Sequence, residues 1–105
     1  MDSSAASIAA QGLLRLGRRW KDERYLQAGF TIANSLYDEP YLSTDPAHQG
    51  LILHSVYHRP NGWDRIPENA KVPAGESSMW GDYHAREVGL YVLRLIEDKP
   101  YLKFW

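Results

Sequence analysis

The 105 residues set one small domain, with 44% hydrophobic and 24% charged side chains and a formal net charge of -1. That balance excludes the basic excess expected of a general nucleic-acid or membrane-surface binder. The absence of cysteine excludes disulfides, thiolate zinc sites and a thiol nucleophile.

The chain opens into a helix. Asp2, Ser3 and Ser4 are all good capping residues. Ala5, Ile8, Ala9, Leu13 and Leu16 recur at helical spacing, and Ala6, Ala10 and Leu14 add a second row, which predicts a helix over Ser3–Leu16 with Gly17 as its C-cap. A helix apolar on more than one side reads as an inner helix of something larger, and its exposed faces favour self-association. Before it, MDSSAAS lacks the basic and apolar regions of a signal peptide, which favours a soluble, cytoplasmic chain. No stretch has the length and apolarity of a membrane span, so no membrane partner is expected.

A second helix is predicted over Asp22–Tyr37, capped by Asp22 and striped by Tyr25, Leu26, Gly29, Ile32, Ala33 and Leu36. It ends before Pro40, which cannot continue a helix. The short link from Arg18 to Lys21 makes the first two helices an antiparallel hairpin. Tyr41 to Gly50 is a loop. Leu51 to Tyr57 reads as a strand on its β-branched and aromatic content, and Asn61-Gly62 as the tight turn after it. The stretch from Asn61 to Glu76 is a long structured loop with at most short strand pieces such as Ala70 to Val72. A third helix over Ser78–Ile96 is capped by Ser77, Ser78 or Asp82 and striped by Val88, Tyr91, Val92, Leu95 and Ile96. The closing PYLKFW is an aromatic clamp. The expected class is therefore all-α, with three main helices and a hairpin-like excursion around 51–75.

The residues with most chemistry lie in YHRPNGWD. His58, Arg59, Asn61 and Trp63 crowd one turn, and Trp80 enters the third helix. Aromatic faces with fixed polar donors suit a sugar, which offers both CH faces and hydroxyls; a guanidinium adds a fork for a carboxylate or sulfate. His54 and His58 have the four-residue spacing of two metal ligands on a helix, but the segment reads as strand into turn, so no metal or other cofactor is expected. Asp82 reads as a helix-start residue that accepts backbone donors. Ser77 and Ser78 show no base partner at a recognisable spacing.

The stretches DSSAASIAAQGLLRL, GLILHSVYHRPNGWD, ESSMWGDYHAREVGLYVLRL and PYLKFW, in that order, resemble the C-terminal part of the unsaturated glucuronyl hydrolases. VYHRPNGWD and MWGDYH are the specific parts. The resemblance implies that residues 1–105 are a partial (α/α)6 toroid whose N-terminal part is missing. It implies oligosaccharide partners bearing an unsaturated uronate at the non-reducing end. The family hydrates that vinyl ether with an aspartate as general acid and base, in the half of the toroid upstream of anything matched here. Asp2, Asp64 and Asp82 do not match those positions, so no catalytic residue is carried over and the chain is expected to be inactive alone. In some members the segment after Val-Tyr reads SxxSxK and favours sulfated substrates; the matching positions are His58, Asn61 and Trp63, which suit a neutral sugar or aromatic aglycone better. The alternative is a non-catalytic carbohydrate-binding or helical interaction module derived from that fold.

Overall fold

The computed structural model describes residues 2–71 and 74–100, apart from the side chain of Arg59. Three helices, α1 (Ser3–Trp20), α2 (Glu23–Leu36) and α3 (Met79–Ile96), are the regular elements among the described residues, as the all-α expectation requires. α1 lies against both of the others, whereas α2 and α3 barely touch. The core sits where all three meet, with Ala10 from α1, Ala33 and Leu36 from α2, and Ala85 and Val88 from α3. Ile52, from the irregular segment, plugs it completely buried. Alanines at a three-helix junction let the backbones approach, and one large aliphatic side chain fills the gap they leave.

The caps follow the sequence. The Asp2 carboxylate accepts the amide N–H groups of Ser4 and Ala5, that of Asp22 accepts Arg24 N–H, and the Ser78 hydroxyl accepts Gly81 N–H at 3.1 Å. The end of α1 does not. Gly17 is a buried position inside the helix, and the helix runs a further turn to a cap at Lys21 with φ 54°. Gly17 is there for close approach, since a methyl on it would lie 2.7 Å from the backbone nitrogen of Leu26. Only Lys21 and Asp22 separate α1 from α2, so the two pack as a tight helical hairpin.

The strand expected over Leu51–Tyr57 is not formed. Its one ladder contact is an isolated antiparallel bridge between Ile52 and Leu42. Each of its amides bonds elsewhere. Those of Leu51 and Ile52 go to Asp82, Leu53 to Tyr41 O, His54 to Gly75 O, Ser55 to Glu76 O, Val56 to Asp2 and Tyr57 to Asp64. A segment whose consecutive donors point at six different residues cannot hold a ladder, whatever its β propensity. The excursion does fold back on itself through the pairs His54–Gly75, Ser55–Glu76 and Ala74–Arg65. Its tip is a single 3-10 turn, Arg59–Asn61, followed by Gly62 at φ 65°, in place of a two-residue hairpin turn. Val72 and Tyr101 to Trp105, and with them the end of the short strand piece and most of the aromatic clamp, lie outside the described residues.

Candidate functional site

Tyr57 is the centre of an aromatic cluster. Its ring lies 5.3 Å from that of Trp80 at 28° and 5.5 Å from that of Trp63, and the His58 ring is 5.0 Å from Trp63. The local cause is Asp64. Its carboxylate accepts the Tyr57 amide at 2.6 Å, closing the eight-residue loop 57–64 so that Tyr57 and Trp63 face one another. Trp80 arrives from the first turn of α3. The rings are not core residues: Tyr57 is 56% and Trp63 57% exposed.

A cleft of ≈ 330 Å³ opens beside them, lined by Tyr57, Trp63, Asp64, Glu76, Ser77 and Trp80. Its rim carries Arg65, paired with Glu76 at 3.2 Å in an exposed bridge that contributes little to stability. Two carboxylates against one guanidinium give the cleft a net negative charge, which disfavours a sulfated sugar.

Of the five residues singled out in sequence, Trp63 and Trp80 share the cleft, and the His58 ring lies against that of Trp63 at a tilt of 44°. Asn61 stays in the exposed turn, where its amide N–H meets the His58 ring at 3.2 Å. The Arg59 side chain lies outside the described residues. Tyr57, not singled out, is the ring the others gather round. Its place next to His58 was the one available signal, but only the Asp64 bond shows which way it faces.

A larger groove of ≈ 800 Å³ runs between α2 and α3, lined by Phe30, Tyr37, Val92, Leu93 and Ile96 among others. It is apolar and offers no charged side chain, so it reads as a helix-packing face. Among the described residues, no three His, Cys, Asp or Glu side chains gather to hold a metal. His54, at φ 65°, packs edge-on against Tyr41, whereas the His58 ring lies against Trp63. No helix among the described residues is long and apolar enough to cross a membrane.

Asp2, Asp64 and Asp82 each accept backbone amides, although Asp64 does so with one oxygen only, its Oδ2 being buried without a hydrogen-bond partner among the described residues. Asp2 holds α1 and Val56, Asp64 holds Tyr57, and Asp82 holds Leu51 and Ile52 at 2.9 Å each. The donors that Asp82 serves belong to the excursion and not, as expected, to the start of its own helix. Ser77, which showed no partner in sequence, has its hydroxyl 3.3 Å from His48 Nε2. No family model matches this sequence, and no curated protein or solved structure is significantly similar to it.

Proposed function

We propose that the aromatic cleft binds a sugar, and that the chain forms part of the substrate cleft of an enzyme acting on oligosaccharides with an unsaturated uronate at the non-reducing end. In this reading the three helices and the excursion are the C-terminal part of an α/α toroid, and the cleft takes the sugar next to the scissile bond. The observation that carries it is the convergence of Tyr57, Trp63 and Trp80, from two distant stretches, on one open cleft. Exposed aromatic faces beside hydroxyls and carboxylates match the alternating CH and OH surfaces of a pyranose. The motifs VYHRPNGWD and MWGDYH support the same reading, since these are the stretches that meet at the cleft.

The engagement of Asp2 and Asp82 with backbone amides supports a binding rather than a proton-transferring role for those two, while Asp64, which lines the cleft with its Oδ2 buried and unpartnered, is the carboxyl the turnover test must probe. Hydration of a vinyl ether needs a carboxyl placed to protonate carbon, a contribution of about 10²–10⁴-fold. Calorimetric titration of the chain with a lyase-generated unsaturated disaccharide tests binding. The absorbance of the C4=C5 bond followed in the same mixture tests turnover. Binding without loss of absorbance is the expected result; no binding to any such disaccharide removes the reading. Steady loss of absorbance, abolished by Asp64→Asn or Asp82→Asn, would place the chemistry in this chain after all.

A further inference from the structure

The approach to α3 holds a polar cluster centred on His48, outside the aromatic rings of the cleft. His48 Nδ1 lies 2.8 Å from the Ser43 hydroxyl and His48 Nε2 lies 3.3 Å from the Ser77 hydroxyl. The histidine is fixed by its own turn, in which its amide donates to Asp45 O and the Ala47 amide to the Asp45 carboxylate. When Nδ1–H donates to Ser43, the Nε2 lone pair faces the Ser77 O–H. A hydroxyl within reach of an imidazole whose other nitrogen is held by a third group is the general arrangement of an activated nucleophile.

Two further features surround it. Gly50 makes the contact possible, because a methyl there would lie 1.8 Å from Ser77 Oγ and 2.7 Å from His48 Cε1. Ser77 also lines the cleft and stands one residue before the cap of α3. At that helix end the amides of Met79 and Trp80 precede the first intrahelical bond, made by Asp82 N–H to Ser78 O, and the helix dipole favours negative charge.

We propose that Ser77 is a nucleophile for acyl transfer, with His48 as its base and Ser43 as the residue that positions His48, acting on a small acyl ester presented in the cleft. The Ser77 oxygen bonds to the ester carbonyl carbon while its proton passes to His48 Nε2. The tetrahedral intermediate collapses by breaking the ester C–O bond, and His48 gives that proton to the departing alcohol. Water then attacks the acyl-serine, loses its proton to His48, and releases the carboxylic acid as the proton returns to Ser77. Where the cleft holds a sugar, the ester is an O-acyl group on it; that last clause rests on the carbohydrate reading, and the acyl chemistry does not.

The test treats the 105-residue chain with a fluorophosphonate and, separately, with p-nitrophenyl acetate. A phosphonyl adduct mapped to Ser77 by peptide mass spectrometry is expected, together with nitrophenol release above background. His48→Gln should lower both by about 10²-fold or more. Gly50→Ala should abolish the adduct. Ser43→Ala should slow labelling and Ser43→Thr, which keeps the hydroxyl, should restore it. Circular dichroism of each variant separates lost chemistry from lost fold, and the unmodified chain is decisive alone. No adduct at Ser77, or an adduct formed equally fast in folded His48→Gln, means that the cluster only clasps the loop to α3 and overturns the proposal. Sugar binding without labelling sinks this inference alone; labelling without sugar binding sinks the carbohydrate reading alone.

Discussion

Asp82 reaches from the first turn of α3 to the buried Ile52, accepting its amide at 2.9 Å with one carboxylate oxygen and the neighbouring amide of Leu51 at 2.9 Å with the other. The core plug is thus held to the helix it fills by two charge-assisted bonds. Helix, plug and excursion are positioned by one side chain.

Removing that side chain should be costly. Asp82→Ala leaves the Ile52 amide without its acceptor beside a side chain with no solvent contact, and a loss of about 2–4 kcal/mol in denaturant unfolding is expected. Asp82→Asn keeps one acceptor and should lose less. Equal, small losses for both would mean that Ile52 is held by packing alone.

Two glycines of α1 should respond with opposite signs. Gly12 faces open space, so Gly12→Ala should stabilise by about 0.5–1 kcal/mol through helix propensity. Gly17 lies against the backbone of Leu26, so Gly17→Ala should force α1 and α2 apart and destabilise by about 1–3 kcal/mol despite the same propensity gain. Thermal unfolding of the two variants reads both.

Asp2 sets an acid limit. Burial acts to raise its pKa, but bonds from the Ser4 hydroxyl and from the amides of Val56, Ala5 and Ser4 outweigh it and leave the carboxyl below its ordinary 3.8. A carboxyl depressed in the folded state contributes stability that is fully present above its unfolded value and lost as pH falls through its folded one. The contribution should therefore be constant from neutral pH down to about 5 and decline below about 4. Asp2→Asn should flatten that part of the stability–pH curve; an unchanged acid limb would assign it to other carboxylates, Asp22 among them, which the Arg24 hydrogen bonds also hold low.

For the cleft, Trp63→Ala should weaken binding of an unsaturated disaccharide by about 1–3 kcal/mol, the range of aromatic stacking on a planar ligand face. Trp20→Phe is the control, because Trp20 packs on Tyr25 in the α1–α2 connection, away from the cleft-lining residues. Calorimetry on both variants decides whether the Trp63 face holds the sugar.

The helices and their caps were legible because their causes are local. Asp2, Asp22 and Ser78 stand next to the amides they cap, and the apolar stripes repeat within a turn or two. Gly17 misled because a glycine for close approach looks in sequence like a glycine for a left-handed cap, and the true cap fell on Lys21, a residue with no such preference. Leu51–Tyr57 misled for a distance reason. Its acceptors Asp82 and Asp2 lie about 30 and 54 residues away in sequence, beyond any local pattern. The site was half legible. Trp63 and Trp80 could be named from composition, whereas the central place of Tyr57 and the pairing of His48 with Ser77 depend on how the excursion closes.

The occupied amides of Leu51–Tyr57 also bear on behaviour at high concentration. LILHSVY is the stretch of this chain whose composition most invites pairing with another copy, being apolar, β-branched and free of formal charge at its centre. Intermolecular β association begins by recruiting free backbone donors from an exposed edge. Here all seven successive N–H groups are already bonded, four of them to aspartates. The folded chain therefore presents its most amyloid-like segment with no donor to offer, and fibril formation should require unfolding first.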